Sequence, residues 1–496
     1  MADINEKVNV EQDNASEIAI RRQKLSDLVA AGKDPFEITK FDRTVQAAEV
    51  LNDFEKYEGK TVTIAGRMIS RRIMGKASFT HLLDGGKKLQ AYVRRDDVGE
   101  EDYAAFKKWD VGDIIGVEGF VFKTQTGEIS VHAQKIVLLS KSLLPLPEKY
   151  HGLTNTDLRY RQRYVDLIVN PEVMDTFAKR SKIISCIRTY MESIGFIEVE
   201  TPVLNSIPGG ANARPFVTHH NALDIDMYMR IATELYLKRL IVGGFDKVFE
   251  IGRIFRNEGM DIKHNPEFTT IELYQAYADY NDMMDITEGL FRYCAQEVLH
   301  TEDVEYQGEI LHFGQKWPRV TMIDAVKQYT GIDFEQGTVE ELIAQAKKIG
   351  VELDGDESWG KALYEVFDQK VEEKLIQPIF IIDYPVEVSP LAKRKPSDKR
   401  LTERFECFMM ASEMGNAFSE LNDPIDQRGR FEQQARERAK GDDEAQFMDE
   451  DFVNALEYGM PPTGGLGIGI DRMVMMLTNN YSIRDVLLFP TMKPRK

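Results

Sequence analysis

The sequence predicts an α+β protein with two domains. Short alternating strands fill residues 61–140, and from residue 151 onward long amphipathic helices are mixed with strands. The length points the same way, because 496 residues exceed what one ordinary hydrophobic core organises. We therefore expect a small β-domain within residues 1–150 and a larger mixed domain over residues 151–496.

The first domain begins with a helix. Residues 17–31, EIAIRRQKLSDLVAA, have a helical pattern that Gly32 closes and Pro35 follows, which are ordinary stop signals. Five strands come next, separated by turns such as DGG and QTGE, and a helical segment near EDYAAFKKW interrupts them. Five short strands with one inserted helix predict a five-stranded β-barrel of the OB type.

A linker and the second domain follow. The segment SLLPLPEKYHG at 142–152 is typical of a linker because it contains prolines and lacks a strand or helix pattern. The helix TFAKRSKIISCIRTYMESI ends at Gly195, and the strand FIEVETPVL after it is broken at Pro202. Residues 283–380 have mostly helical patterns and predict a mainly helical insertion.

The composition limits the class of protein. A hydrophobic content of 43% with 29% charged residues is typical of a soluble globular chain. The three cysteines are widely separated, so they predict neither a disulfide framework nor a structural metal site. The N-terminus, MADINEKVNVEQDNASE, is acidic and polar, unlike a signal peptide, and no apolar run is long enough to span a membrane. We expect a cytoplasmic protein without a membrane partner.

The barrel region carries a local positive charge although the chain as a whole has a formal charge of -19. Between Lys60 and Arg95 nine basic residues stand against one acidic residue. Phe79, Gln90 and Tyr92 are interleaved with these cations. Cations for phosphates, aromatic faces for unstacked bases and amides for base edges together bind single-stranded nucleic acid. Phe79 alone would be more typical of a barrel core.

A hairpin within residues 247–276 concentrates reactive side chains on one face. Successive strand residues point to opposite faces, which sorts the polar and apolar side chains. One face would carry Glu250, Arg256, Glu258, Phe268, Thr270, Glu272 and Tyr274. The other would carry Phe249, Ile251, Phe255, Ile271 and Leu273 and suits a core. The polar face predicts a binding site, and a solvated face with cross-strand ion pairs is the simpler alternative.

Two further motifs lie near the C-terminus. In GGLGIGIDRM, every second residue is a glycine, so one face of the strand would carry no side chains. A planar ring could lie on that face, with Arg472 beside the ring. The glycines alone are more typical of a crowded helix–strand crossing that needs small residues. ECFMMASEMGNAFSELND supplies carboxylates that suit Mg²⁺ bound mainly through substrate phosphates, and solvated surface carboxylates are the alternative. The spacing of Glu413, Asn416 and Glu420 would align them if this segment were helical.

In chain order these pieces resemble the class II aminoacyl-tRNA synthetases, and among them the lysyl-tRNA synthetases of bacterial type. GFIEVETPVL, FRNEG...HNPEFTTIELYQ and GLGIGIDRM are similar to the three class II motifs. GRMISRRIMGKASF, PGGANARPF and RFE...E.GN.FSELND are similar to lysine-specific signatures. The resemblance covers nearly the whole chain, and its motif residues are all present.

The resemblance implies a fold, a reaction and partners. The expected fold is an OB-type barrel that reads the anticodon, followed by a catalytic antiparallel sheet flanked by helices, in a homodimer. The expected reaction joins lysine and ATP to lysyl-adenylate, with loss of pyrophosphate, and then transfers lysine to the 3′ end of tRNA(Lys). Mg²⁺ is the implied cofactor.

The resemblance also assigns roles to residues. Arg256 and Arg472 would be catalytic. The implied ATP-binding residues are Arg256, Glu258, His264, Asn265, Phe268, Gly469 and Arg472. The implied lysine-binding residues are Glu234, Arg256, Glu272, Tyr274, Asn416 and Glu420. Glu406 and Glu413 would hold the metal, and Arg72, Phe79 and Gln90 would contact the anticodon.

Two other functions stay open from the sequence. An aspartyl- or asparaginyl-type relative would share the barrel and the motifs, but its substrate calls for a cationic or neutral pocket. A catalytically inactive tRNA-binding paralogue would be expected to lack Arg256 or Glu413, and both are present.

Overall fold

The computed structural model describes residues 2–147, 153–353, 357–439 and 447–495. It divides into two compact units, Met1–Asp175 and Thr176–Lys496. Within the predicted linker, residues 142–147 are neither helix nor strand, and residues 148–152 lie outside the described residues. None of the helices in the described ranges combines the length and apolar character needed to cross a membrane.

The first unit contains the predicted closed barrel, with strand order β1-β2-β3-β5-β4. Its strands are β1 (Thr61–Met74), β2 (Ala77–Asp84), β3 (Lys87–Arg94), β4 (Ile114–Lys123) and β5 (Ile129–Ser140). Its helices are α1 (Ala2–Ala30), α2 (Ala47–Asn52), α3 (Phe54–Tyr57), α4 (Arg95–Val98), α5 (Glu100–Phe106), α6 (Thr156–Arg161) and α7 (Arg163–Val169), with a 3₁₀ turn at Pro35–Glu37. The five strands and the inserted helix α5 confirm the OB-type prediction.

Every second side chain along the strands points inward and fills the barrel. Ser78, Thr80 and Leu82 of β2 point inward, as do Leu89, Ala91 and Val93 of β3, and all are buried. The residues between them, among them Phe79 and Tyr92, therefore face outward. The predicted first helix is longer than its pattern indicated, since α1 begins at Ala2, and it ends before Gly32, which has a φ of 65°.

The second unit is built on an eight-stranded sheet with the order β14-β15-β16-β17-β18-β11-β10-β6. The strands of this unit are β6 (Ile197–Glu198), β7 (Leu204–Asn205), β8 (Val217–His220), β9 (Ile225–Met229), β10 (Lys247–Phe255), β11 (Glu267–Ala276), β12 (Asp303–Tyr306), β13 (Glu309–His312), β14 (Arg319–Thr321), β15 (Ile379–Ile382), β16 (Arg404–Met409), β17 (Ser412–Ser419) and β18 (Thr463–Gly469). The six strands from β15 to β10 are antiparallel, and the two edge pairs are parallel. This confirms the predicted antiparallel sheet.

Helices flank the sheet. They are α8 (Glu172–Ser193), α9 (Glu234–Val242), α10 (Tyr280–Leu299), α11 (Met322–Thr330), α12 (Val339–Lys348), α13 (Trp359–Lys370), α14 (Pro424–Ala439), α15 (Glu450–Glu457), α16 (Ile470–Leu477) and α17 (Ile483–Val486), with 3₁₀ turns at Glu372–Lys374 and Val386–Val388. The main core lies between one face of the sheet and helices α8, α10 and α16. The other face carries the polar residues, and helices α9, α14 and α15 pack against part of it.

The segment 283–380 contains helices and, between them, short strands. Helices α11, α12 and α13 form their own hydrophobic cluster. Strands β14 and β15 from the same segment extend the main sheet at one edge. In the first motif the chain is extended as predicted, but only the two-residue strands β6 and β7 are paired, on either side of Pro202.

Candidate active site

A row of residues crosses five strands of the large sheet. Residues that are register partners on adjacent strands point to the same face. The row consists of Glu406, Asn416, Gly467, Glu272 and Glu250. The neighbouring row consists of Arg404, Phe418, Gly465 and Tyr274. Because the β18 position of each row is a glycine, no β18 side chain separates the groups of β11 from those of β17.

A cavity of about 460 Å³ lies over this face. Every residue that the sequence assigns to ATP, lysine or metal lines it, namely Glu234, Arg256, Glu258, His264, Asn265, Phe268, Glu272, Tyr274, Glu406, Glu413, Asn416, Glu420, Gly469 and Arg472. Glu250, on the same face of the hairpin, is absent from the lining. Its carboxylate accepts hydrogen bonds from Arg230 and Thr201 and is structural.

One end of the cavity is acidic. Glu234 and Glu420 are buried there, and Glu272 is partly buried. Loss of hydration and the nearby charge of Glu234 raise the pKa of Glu272 to about 7, although the backbone N–H of Thr233 donates to its carboxylate at 3.1 Å. Burial and the neighbouring carboxylates hold the pKa of Tyr274 well above its ordinary value, so its phenol stays neutral. This end can receive a cation.

Glu420 is the most enclosed of these carboxylates. Its side chain is fully buried, and its Oε1 has no hydrogen-bond partner among the described residues. The Oε2 atom contacts the ammonium of Lys238, which is also buried. Burial raises the pKa of Glu420 well above its ordinary value, although Lys238 opposes the shift. A buried acceptor without a partner costs free energy, so this atom is poised to accept a donor from a ligand.

The other end of the cavity is cationic and aromatic. The guanidinium carbon of Arg256 lies 5.3 Å from the centre of the Phe268 ring. No carboxylate of the described residues forms an ion pair with Arg256, whose one hydrogen bond is a weak contact of 3.5 Å to the Ile231 carbonyl. Arg256 therefore presents an uncompensated positive charge to the cavity.

Arg472 completes the cationic end from the start of α16. It donates to the backbone carbonyl of Glu413, and its Nη2 lies 3.0 Å from His264 Nε2. The adjacent Asp471 accepts from the backbone N–H of Thr269 at 2.7 Å, which ties α16 to β11 beside Phe268. This contact holds the start of α16, which carries Arg472, beside the strand that carries Phe268.

The three other residues assigned to ATP differ in their exposure and hydrogen bonding. Glu258 and His264 are exposed at the rim. Asn265 is buried, and both ends of its amide are used, since Nδ2 donates to the Glu267 carbonyl at 2.6 Å and Oδ1 accepts from the Thr491 N–H at 3.3 Å. Asn265 therefore holds the C-terminal segment against the cavity.

Glu406 and Glu413 lie on neighbouring strands and face the same cavity. Glu406 accepts from Arg404 at 2.6 Å and from the Tyr384 hydroxyl at 3.0 Å. Burial and the nearby Glu413 raise the pKa of Glu406 to about 7. No group of three potential metal ligands occurs in the described ranges. Two carboxylates suit a Mg²⁺ ion that takes its other ligands from substrate phosphates and water.

The helical alignment predicted for Glu413, Asn416 and Glu420 is wrong. Residues 412–419 form strand β17, and Glu420 follows its end. The three residues still line the cavity, because Asn416 and Glu420 have the same strand parity while Glu413 lies at the turn end. Their spacing fitted a helix, but hydrogen bonds to β16 and β18 select the strand.

On the barrel, the predicted residues share the outer face. Arg72 pairs in register with Phe79, which pairs with Tyr92, and the last two rings are 4.9 Å apart. Phe79 is half-buried and Arg72 is exposed. Gln90 is buried and bonded to Glu128 at 2.7 Å and Ser130 at 2.8 Å.

Part of the local positive charge is already engaged by groups of the barrel domain itself. Arg67 and Arg71 donate to backbone carbonyls, and Arg94 and Arg95 lie near Asp96. Arg72 has no ion-pair partner in the described part of the chain.

Sequence reasoning missed two residues of this site. Arg404 donates to Asn416 and to Glu406 and so fixes both side chains. Lys238 binds Glu234 and Glu420 from outside the cavity. The i, i+4 spacing of Glu234 and Lys238 on one helix was a readable signal. The pairing of Lys238 with Glu420 is long-range and was not readable.

Comparison with known proteins identifies relatives over the full length. The family model described as tRNA synthetases class II (D, K and N) matches residues 155–493, and the OB-fold nucleic acid binding domain model matches residues 62–139. The chain is 58% identical to a lysine–tRNA ligase of Thermoanaerobacter pseudethanolicus, covering 96% of each chain. It is 57% identical to one of Pelotomaculum thermopropionicum, covering 100% of this chain and 98% of the relative. It is also 58% identical to one of Clostridium tetani, covering 98% of each.

Proposed function

Because the chain belongs to the class II tRNA synthetases of the D, K and N group, we propose that its cavity binds lysine at the acidic end and ATP at the cationic end. The relatives bear out the reaction predicted from the sequence, which is ligation of lysine to tRNA with consumption of ATP. What we propose is the role of each residue in this reaction.

At the acidic end, Glu272, Tyr274 and Glu420 surround the ε-ammonium of lysine. An ammonium is a compact charge with three donors, and buried carboxylates are the partners that it requires. Glu234 and Asn416 take the end of the substrate that carries the α-amino and carboxylate groups. The unpartnered Oε1 of Glu420 supports this assignment, because a substrate donor satisfies it.

At the cationic end, Phe268 stacks on adenine, with Arg472 on the other face of the base beside Gly469. Arg256 contacts both the α-phosphate and the lysine carboxylate, which is supported by its lack of an ion pair within the described residues. Glu258 and His264 meet the nucleotide at the rim. Asn265 acts by holding the chain around the site, since its amide is already bonded.

The first step needs alignment more than covalent help from the protein. The lysine carboxylate is itself a nucleophile and attacks the α-phosphate in line, with pyrophosphate as the leaving group. Arg256 draws the two anions together and neutralises charge that develops on the phosphate. In the second step a hydroxyl at the 3′ end of tRNA attacks the mixed anhydride, which yields lysyl-tRNA and AMP.

Glu406 and Glu413 would hold Mg²⁺. The pKa of about 7 for Glu406 fits this role, because a carboxylate that is hard to ionise alone is stabilised by a bound cation. When bound, the metal supplies further neutralisation of the triphosphate charge. Arg404 keeps Glu406 oriented.

The acidic pocket argues against the aspartyl- or asparaginyl-type alternative. A substrate carboxylate placed among Glu234, Glu272 and Glu420 would be repelled. The inactive paralogue is disfavoured because Arg256 and Glu413 both face the cavity.

The barrel contacts the anticodon through Arg72, Phe79 and Gln90. Phe79 offers a half-exposed ring for a base, and Arg72 offers a charge for a phosphate. Gln90 is supported less directly, since its amide is bonded within the barrel and would have to exchange a partner to read a base.

A homodimer is supported by exposed apolar side chains in the segment 197–225, which contains strands β6, β7, β8 and the start of β9. They are Ile197, Val203, Leu204, Ile207, Val217, Leu223 and Ile225. A concentration of exposed apolar side chains is typical of interaction surfaces. Sedimentation of the wild-type chain should give twice the chain mass of 56.8 kDa, whereas a species of single mass would contradict the dimer. The cytoplasmic location stays a prediction.

The observation that carries the proposal is the buried Oε1 of Glu420, to which no described residue donates, facing the same cavity as Arg256, which forms no ion pair within the described residues. The test is ATP–pyrophosphate exchange with each of the twenty amino acids. Exchange should depend on lysine alone. Exchange that depends on aspartate or asparagine, or no exchange at all, would contradict the function.

A further inference from the structure

Lys238 is a buried cation behind the acidic end of the cavity. Its side chain has no exposed surface, and it is absent from the cavity lining. It lies one helical turn after Glu234 on α9 and binds the carboxylates of both Glu234 and Glu420, which do line the cavity. The substrate therefore meets Lys238 only through these two carboxylates.

The carboxylates at this end disfavour one another's charge. Burial and mutual repulsion raise the pKa of Glu272 and of Glu420, and burial raises the pKa of Glu234. Lys238 acts in the opposite direction on Glu234 and Glu420. Burial opposes a charge on Lys238 as well, yet these two partners more than offset it and raise the Lys238 pKa. The ammonium and the two carboxylates therefore favour one another's charged forms.

We propose that Lys238 is a positioning residue of the amino-acid pocket, which holds Glu234 and Glu420 in place as ionised carboxylates so that the pocket accepts a substrate ammonium. This inference rests on the proposed function, because it takes lysine as the ligand. It adds a specificity determinant that does not touch the substrate.

Within the described ranges, Lys238 pairs with no carboxylate other than those of Glu234 and Glu420. Besides Glu234, helix α9 carries Arg239, which is paired with Asp449 at 2.8 Å and Asp451 at 3.1 Å. Strand β11 contributes Glu272 and Tyr274 on the cavity side. Two rings also lie near Nζ, that of Phe418 at 5.5 Å and that of Phe452 at 5.8 Å. Loss of the ammonium would thus be felt mainly by Glu234 and Glu420.

Without that ammonium, the two carboxylates would bind protons in the empty pocket. Lysine would then have to displace those protons, so its binding would weaken at neutral pH and recover as the pH rises. A neutral side chain of similar length, such as that of norleucine, would be rejected less strongly, because it would leave fewer charges unpaired.

The variant test uses Lys238→Met, which removes the charge at similar length, and Lys238→Arg, which keeps a charge. Lys247→Met is the control, because Lys247 is a partly buried lysine of β10 bonded to the Ile194 carbonyl. In pyrophosphate exchange, Lys238→Met should move the midpoint of the pH dependence of the lysine KM upward by about one unit or more. The KM for ATP should be unchanged, and the preference for lysine over norleucine should fall about tenfold or more. Lys238→Arg should keep the wild-type midpoint.

A merely structural role would lower activity or Tm without moving the midpoint or the preference, and that result would overturn the inference. If Lys238→Met does not fold, calorimetry of lysine binding to the wild-type protein decides the matter. Titrations near pH 7 in buffers of different ionisation enthalpy count the protons released on binding.

Because Lys238 contacts the carboxylates of both Glu234 and Glu420 and, on this inference, holds them ionised, the wild-type protein should release about one proton or fewer, from Glu272, whose pKa is about 7. Release of about two protons or more would overturn the inference. A wild-type protein that binds no lysine at all would instead contradict the proposed function.

Discussion

Gly465 lies so close to Glu420 that a methyl group on it would come within 2.0 Å of Glu420 Oε1 and 2.5 Å of the Tyr274 ring. The space that a side chain would occupy is filled by the two groups assigned to the lysine ammonium. At Gly467, two residues on, the same methyl group would have its nearest neighbour at 3.7 Å. Of these two glycines, Gly465 is therefore required by the shape of the pocket itself.

Gly465→Ala should destabilise the protein by about 1 to 3 kcal/mol, because the added methyl overpacks a rigid, buried region. It should also raise the KM for lysine, because Glu420 and Tyr274 must move. Urea unfolding and exchange kinetics measure the two effects. Gly467→Ala is the matched control and should keep the wild-type stability. Equal stability of the two variants would contradict the packing described for Gly465.

Arg256→Ala should lower adenylate formation by on the order of 10²-fold or more, because it removes a charge-assisted and potentially bidentate contact to the phosphate. The control is Arg253→Ala, since Arg253 is exposed on β10, three residues before Arg256, and pairs with Glu267 at 3.6 Å. Lysine-dependent pyrophosphate exchange is the assay. Near-normal exchange by a folded Arg256→Ala variant would refute the role.

Phe79→Ala should weaken tRNA charging by about 1 to 3 kcal/mol of lost base stacking. Pyrophosphate exchange needs no tRNA and should be spared. Phe36→Ala, which truncates an exposed ring outside the barrel strands, serves as the control. An equal loss in both assays would mean that Phe79 acts as a core residue beside Tyr92.

The stability of the protein without lysine should depend on pH through Glu272. Its pKa is about 7 in the folded chain against an ordinary value of 4.5, so the folded state binds the proton more tightly. This contribution to stability is complete below the ordinary pKa and is lost as the pH rises through about 7. Glu272→Gln should remove this loss, which makes the variant more stable than wild type above pH 7 by on the order of 1 kcal/mol.

Unfolding by urea at several pH values measures this difference, with the exposed Glu267→Gln as control. If the free energy of unfolding varies with pH in the same way for wild type and Glu272→Gln, the Glu272 pKa is not raised by folding, which would contradict this prediction.

The sequence predicted the barrel and the hairpin well because alternation is a local pattern. Ser78 and Phe79, or Glu272 and Leu273, reveal their faces without knowledge of their partners. Pairing between segments that are distant in the sequence could not be predicted. The spacing of Glu413, Asn416 and Glu420 suggested a helix, whereas hydrogen bonds to β16 and β18, which local patterns do not reveal, make this segment strand β17.

The same limit applied within the site. Glu250 has the parity of a site residue, but Arg230, twenty positions away in the sequence, binds it. Lys238 escaped notice because its second partner, Glu420, comes from a distant segment. The resemblance to a known family supplied the roles that local patterns could not.

The central claim is that buried carboxylates select lysine, and Glu420→Gln tests it most directly. Steady-state exchange kinetics with each substrate varied in turn separate binding of lysine from binding of ATP. The variant should raise the KM for lysine by at least about tenfold, roughly 1.4 kcal/mol or more of lost binding, while the KM for ATP changes little. An unchanged KM for lysine, or an equal rise in both constants, would contradict the assignment of the pocket.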